Sequence, residues 1–147
     1  MRNISAILLL LGLVSGCAYH PENKSLDFGI YRTNQWMGTK ITISNKHSNK
    51  QYIVQDGRDF CFALRSLYKG NIASLEKEFH LKFQKVEGIE EKNYWLSSSC
   101  QKNFWDLEPK KVSYYYFLEN KSGPSMEISI VKKAKDEFIV YLNVYSS

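Results

Sequence analysis

From Thr39 onward the apolar residues fall mainly at every second position, the period of a pleated strand with one buried face. Ile41 and Ile43 alternate with Lys40, Thr42 and Ser44, and residues 45–49 (Asn-Lys-His-Ser-Asn) read as a turn. Tyr52-Ile53-Val54 follows, closed by the hairpin signal Asp56-Gly57, and Phe60 to Leu64 is short and apolar enough for a buried strand. The next stretch carries two periods at once. Phe79, Leu81 and Phe83 alternate with polar residues, whereas Ile72, Leu75, Phe79, Phe83 and Val86 lie at helical spacings of three and four. We read a strand over Glu78–Val86 after a short helix near 72–80, with helix across 72–86 as the competing reading. Tyr94-Trp95-Leu96 precedes the polar loop Ser97 to Cys100. Three further strands are expected, at Val112–Leu118, at Met126–Ile130 and at Phe138–Tyr145, with turns at 120–124 and 132–136 between them. About seven short antiparallel strands punctuated by turns predict an all-β sandwich occupying residues 36–147.

The first 35 residues follow a different rule. Arg2 supplies a positive start, Ile4 to Val14 an apolar run, and Ser15-Gly16 small residues before Cys17. The run is about half the ~20 apolar residues needed to cross a bilayer, so it reads as a leader rather than a membrane span. Leu13-Val14-Ser15-Gly16-Cys17 resembles the lipobox of bacterial lipoproteins. The resemblance implies that residues 1–16 are removed and that Cys17 is lipidated as the new first residue. Its acyl chains, at ~0.8 kcal/mol per buried CH₂, would hold the protein on a membrane. In that family an Asp after the cysteine retains the protein in the inner membrane. Ala18 stands here instead, which implies the outer membrane with the domain facing the periplasm. Residues 17–35, rich in polar groups and Pro21, read as a tether, with Gly29-Ile30-Tyr31 as a loosely held first strand inside it.

Removal of such a leader leaves 131 of 147 residues and takes the formal net charge from +5 to +4. That is one domain with room for a core. The basic side chains are spread along the chain, without the clustered footprint of a nucleic-acid binder. With Cys17 lipidated, Cys61 and Cys100 remain as an even pair in an oxidising compartment. A bond between them would close a loop of about 40 residues, worth ~4 kcal/mol in the chain-entropy account. The alternative is two buried free thiols.

Enzyme motifs are missing from the sequence: there is no Gly-rich phosphate loop, GxSxG or HExxH. His20, His47 and His80 stand far from one another and read as surface residues, so neither a metal nor another cofactor is expected. Glu76, Glu78, Glu87, Glu90 and Glu91 alternate with lysines in the pattern of a solvated face. Aromatic residues are the more unusual feature, with 3 Trp, 10 Tyr and 8 Phe. Most are expected in the core. Trp95, Phe104 and Trp105 flank Cys100 in expected loop and are candidates for a protein-binding surface, since Trp and Tyr dominate binding hot spots; packing of Trp105 over the disulfide is the competing reading.

Leu107-Glu108-Pro109 followed by Tyr114 resembles the tyrosine-corner lead-in of immunoglobulin-like and fibronectin-type domains, with the tyrosine one residue later than in those domains. Taken in order, the lipobox, Cys61-Phe62, Cys100, Leu107-x-Pro109 and the tyrosine-rich strand resemble the small periplasmic lipoproteins of type VI secretion immunity. That resemblance spans about Ile41 to Val144 as order and spacing. It implies a lipid-anchored β-sandwich that occludes the active site of a toxin delivered into the periplasm: a protein partner, and no catalysis, small-molecule substrate or nucleic acid. Two other roles suit a small β-rich lipoprotein. One is inhibition of lysozyme, which a positive charge disfavours because lysozymes are usually basic. The other is assembly of an envelope machine.

Overall fold

The computed structural model describes residues 24–56, 59–90, 107–121 and 123–146. Six antiparallel strands, β1 (His47–Gln55), β2 (Cys61–Lys69), β3 (Gln84–Lys85), β4 (Val112–Glu119), β5 (Ser125–Ala134) and β6 (Glu137–Tyr145), form one sheet in the order β1-β2-β6-β5-β4-β3. Two short helices, α1 (Leu26–Met37) and α2 (Ile72–Phe79), accompany it. The chain is therefore mostly β and antiparallel, as its alternation predicts. The strands hydrogen-bond into a single sheet, and the layer that a second sheet would supply is made by the helices and residues 39–46. No helix among the described residues is long and apolar enough to cross a membrane.

The register follows from the hairpins. A two-residue turn, Lys135-Asp136, joins β5 to β6 and leaves Ala134 opposite Glu137. Asp136 takes a left-handed φ of 54°, which that tight connection requires and which Asp tolerates better than most residues. The C-terminal strand β6 then inserts between β2 and β5, with Leu142 opposite both Leu64 and Ile128. These three side chains are fully buried with Val54, Phe62, Val140 and Val144 on one face of the sheet. Each such side chain contributes roughly 1.5–3 kcal/mol by leaving water.

The helices close this face. For α2, Asn71 caps the start, its side chain accepting from the Ser74 N–H at 2.8 Å, and His80 ends it in the left-handed region at φ 53°. Leu75 and Phe79, four residues apart, point together into the core. Strand content after it shrinks to β3, because Glu76 accepts from the Phe83 N–H at 3.0 Å and so takes a backbone donor that a longer strand would use. The short helix expected near 72–80 is present as α2, the helix does not run on to 86, and the strand expected over Glu78–Val86 is reduced to two residues.

The tether reading of 17–35 also needs correction, since its second half is folded. Ser25 accepts from Phe28 N–H at 3.2 Å as an N-cap, Gly38 ends α1 at φ 65°, and Gly29, Thr33 and Met37 are buried at spacings of four. Gly29-Ile30-Tyr31 is thus helical. Arg32 pins the helix to the sheet, its guanidinium lying 4.7 Å over the Trp36 ring and 3.4 Å from the Asp56 carboxylate. Residues 41 and 43, expected in a strand, lie in extended chain before β1, with Ile41 buried and its backbone bonded to the Asn34 side chain. His47, expected in a turn, opens β1.

The opposite sheet face is covered too. Glu127 and Ser129, which alternate with core residues and would suit a solvated face, are 3% and 1% exposed. At one end of this face Leu107, Val112 and Tyr141 pack together with Val86 and Ile89. Tyr114, the tyrosine-corner candidate, belongs to the other face and sets its ring edge-on to Phe138 at 6.1 Å.

Candidate functional site

Two clusters of polar groups stand out, one on each face of the sheet. The first joins α2 to β1 and β2. His47 Nδ1 lies 2.8 Å from the Ser66 hydroxyl, and its Nε2 lies 3.2 Å from Glu78 Oε1, too far off line for a good hydrogen bond. A carboxylate beside Nε2 favours the proton on that nitrogen, so the Ser66 hydroxyl donates to Nδ1. The imidazole is stacked parallel to Phe79 at 5.8 Å and tilted against Tyr68 at 4.9 Å. Burial drives the His47 pKa down to about 4, against the pull of the Glu78 charge, so the ring is neutral near pH 7. Glu78 also accepts from the Ser44 N–H at 2.6 Å and the Ser44 hydroxyl at 2.9 Å.

Serine, histidine and glutamate are the residue types of a hydrolytic triad. The geometry is unlike one in the respect that matters: Ser66 is 0% exposed, and its hydroxyl is spent on the imidazole. No substrate carbonyl can reach it. What the arrangement does is fasten α2 and residues 42–46 to the sheet. Beside it lies a cleft of about 520 Å³, walled by residues 42–46 on one side and by α2 and His80 on the other. Lys46 and Lys77 face this cleft, and Glu78 is the carboxylate that lines it.

The second cluster sits on the other sheet face. Glu127 is buried with its carboxyl accepting from the Tyr115 hydroxyl at 3.0 Å. Burial pushes the Glu127 carboxyl up to about 7, with the Tyr115 bond opposing. Burial followed by the Glu127 charge raises the Tyr115 hydroxyl and pushes Tyr145 up to about 12. Asn143 stands directly across from Glu127, and neither atom of its amide has a hydrogen-bond partner among the described residues; the same holds for the hydroxyls of Ser129 and Tyr145. Such groups cost free energy when unpaired.

Of the site residues expected from the sequence, Cys61 opens β2, is 3% exposed and is disulfide-bonded. Cys17, Cys100, Trp95, Phe104 and Trp105 lie outside the described residues. His47 and Glu78 overturn the surface reading of the histidines and glutamates. His47 is 2% exposed and the Glu78 side chain 10%. They stand 31 positions apart, so no spacing rule links them, and only the pairing of β1 with β2 and the docking of α2 bring them together. Glu127 carried a faint sequence signal, a single carboxylate inside the apolar run Met126 to Val131. Among the described residues no group of three or more His, Cys, Asp or Glu is placed to hold a metal ion. Comparison of the chain with protein-family models, with curated proteins and with solved structures finds no match.

Proposed function

We propose that the chain is a lipid-anchored periplasmic binding protein that neutralises a periplasm-acting toxin, with the outer membrane as its seat. The observation that carries the reading is the small-small-Cys ending of a short apolar leader, Ser15-Gly16-Cys17, ahead of a domain rich in antiparallel strands. Immunity in particular rests on the order of lipobox, Cys61-Phe62, Cys100, Leu107-x-Pro109 and tyrosine-rich strand. Lipid on Cys17 would fix the protein where such a toxin acts. A Cys61–Cys100 disulfide would tie the segment bearing Trp95, Phe104 and Trp105, the proposed contact surface, to the start of β2. Occlusion needs no catalytic group.

The test is a pull-down with the full-length chain, solubilised in detergent, from lysate of its own strain. Recovery of one toxin-like protein is expected, and Trp105→Ala should weaken its binding by about 2 kcal/mol, roughly thirtyfold. Recovery of envelope-machine subunits alone would replace immunity by an assembly role.

A further inference from the structure

We propose that the cleft between residues 42–46 and α2 is a docking site for an acidic segment of a protein partner, with carboxylates seated against Lys46 and Lys77. The inference rests on the reading of the chain as a protein-binding module. Its physical basis is an imbalance of charge. Glu78, the carboxylate in the lining, is turned inward to 10% exposure, and its two oxygens are occupied by the Ser44 N–H, the Ser44 hydroxyl and the His47 edge. The cleft thus sets two lysine ammoniums against one inward-turned carboxylate. Lys46 and Lys77 are exposed, and neither has an ion-pair partner among the described residues. Lys82, Lys111 and Lys133, by contrast, are each held by a glutamate within 3.2 Å.

The lining also selects among anionic ligands. Small-molecule pockets enclose their ligand and are mostly apolar. Here the lining holds no aliphatic or aromatic side chain beyond His80, and five of its eight residues are exposed. An open cleft that carries two lysines suits carboxylates presented on another chain. Its walls are already set: the Thr42 hydroxyl donates to the Glu78 carbonyl at 3.1 Å, and Ser44 is tied to the Glu78 side chain. Little ordering then remains to oppose binding.

The probe is a hexaglutamate peptide titrated into the full-length, detergent-solubilised chain, followed by backbone amide shifts. Shifts are expected at residues 44–46 and 74–80. Lys46→Glu/Lys77→Glu should weaken binding at least tenfold, and Lys121→Glu/Lys135→Glu, with the same net charge, should leave it within twofold. Equal losses in the two variants, or no shifts in the cleft, would overturn the proposal. Competition by inorganic phosphate at the peptide's own concentration would also overturn it, in favour of a small-anion site. The pull-down separates this inference from the broader one. A partner retained equally by Lys46→Glu/Lys77→Glu removes the cleft and leaves protein binding standing; cleft shifts with no partner recovered do the reverse.

Discussion

Gly29 decides how closely α1 can approach the sheet. A Cβ at this position would lie 2.7 Å from a Phe62 ring carbon and 2.8 Å from Val54 Cγ2, and both of those side chains are fully buried. Gly→Ala ordinarily favours a helix by about 1 kcal/mol. Here the overlap wins, and Gly29→Ala should destabilise the domain by about 1–3 kcal/mol in urea titration, the usual range for overpacking. An increase in stability would mean that the helix can retreat without losing its contacts. Two titratable residues act in opposite senses. His47 is held neutral, with its pKa depressed to about 4, so its contribution is present above the ordinary value near 6.5 and is lost as pH falls. Glu127 is raised to about 7, so its contribution is present below about 4.5 and is lost as pH rises to 7. The two windows overlap between about pH 4.5 and 6.5, and their slopes there offset each other. Glu127→Gln should therefore leave a stability that climbs with pH through this window, and above pH 7 the variant should exceed the parent by about 3 kcal/mol. Unfolding midpoints measured from pH 4.5 to 8 would show it, and an unchanged profile would mean that Glu127 keeps its ordinary acidity.

At the scale of elements, the short pieces are held by their ends. α2 has eight residues, too few to persist alone in water, and depends on Asn71 at its start and on the Leu75–Phe79 stripe beneath it. Asn71→Ala should cost about 1 kcal/mol, with faster amide exchange at Ser74 and Leu75, whereas Asn71→Asp should keep the cap. Exchange left unchanged by Asn71→Ala would show that tertiary packing alone sets the helix start. The sheet edges are managed by similar local means. β1 is an edge strand broken by a register shift between Ser48 and Gln51, where Asn49 turns to φ 47° beside exposed Lys50. That irregularity discourages pairing with another molecule. β3 covers only Tyr114 and Tyr115 of β4, and the pairing is prolonged by the Val86 and Gly88 N–H groups donating to Ser113 and Val112.

For the molecule as a whole, the last strand is the most consequential. β6 lies between β2 and β5, so the sheet is two separate pieces until the C-terminal residues arrive. Folding of this kind depends on contacts distant in sequence and is slow relative to helical domains. The other end bears on where the protein acts. If Cys17 is lipidated, globomycin, which blocks the lipoprotein signal peptidase, should make a larger, uncleaved precursor accumulate. A band of unchanged size would sink the lipid anchor and with it the periplasmic setting of the proposed function.

The strands β2, β4, β5 and β6 were legible in the sequence because each alternates or runs apolar between clear turn residues, and strand period is a local property. The all-β class follows from those strands. The amphipathic stripe of α2 was legible as well, but so was an alternation over the same residues, and only the fit of Leu75 and Phe79 against the sheet chose between them. α1 was not legible, since Gly29 and Thr33 are poor helix formers and the helix owes its place to close packing on Phe62 and Val54. The burial of Glu127 and Ser129 depends on cover over the second sheet face, about which alternation says nothing. The His47–Ser66–Glu78 cluster and its cleft are farther still from local pattern, because three residues on two strands and a helix meet only once the strands are in register and the helix has docked.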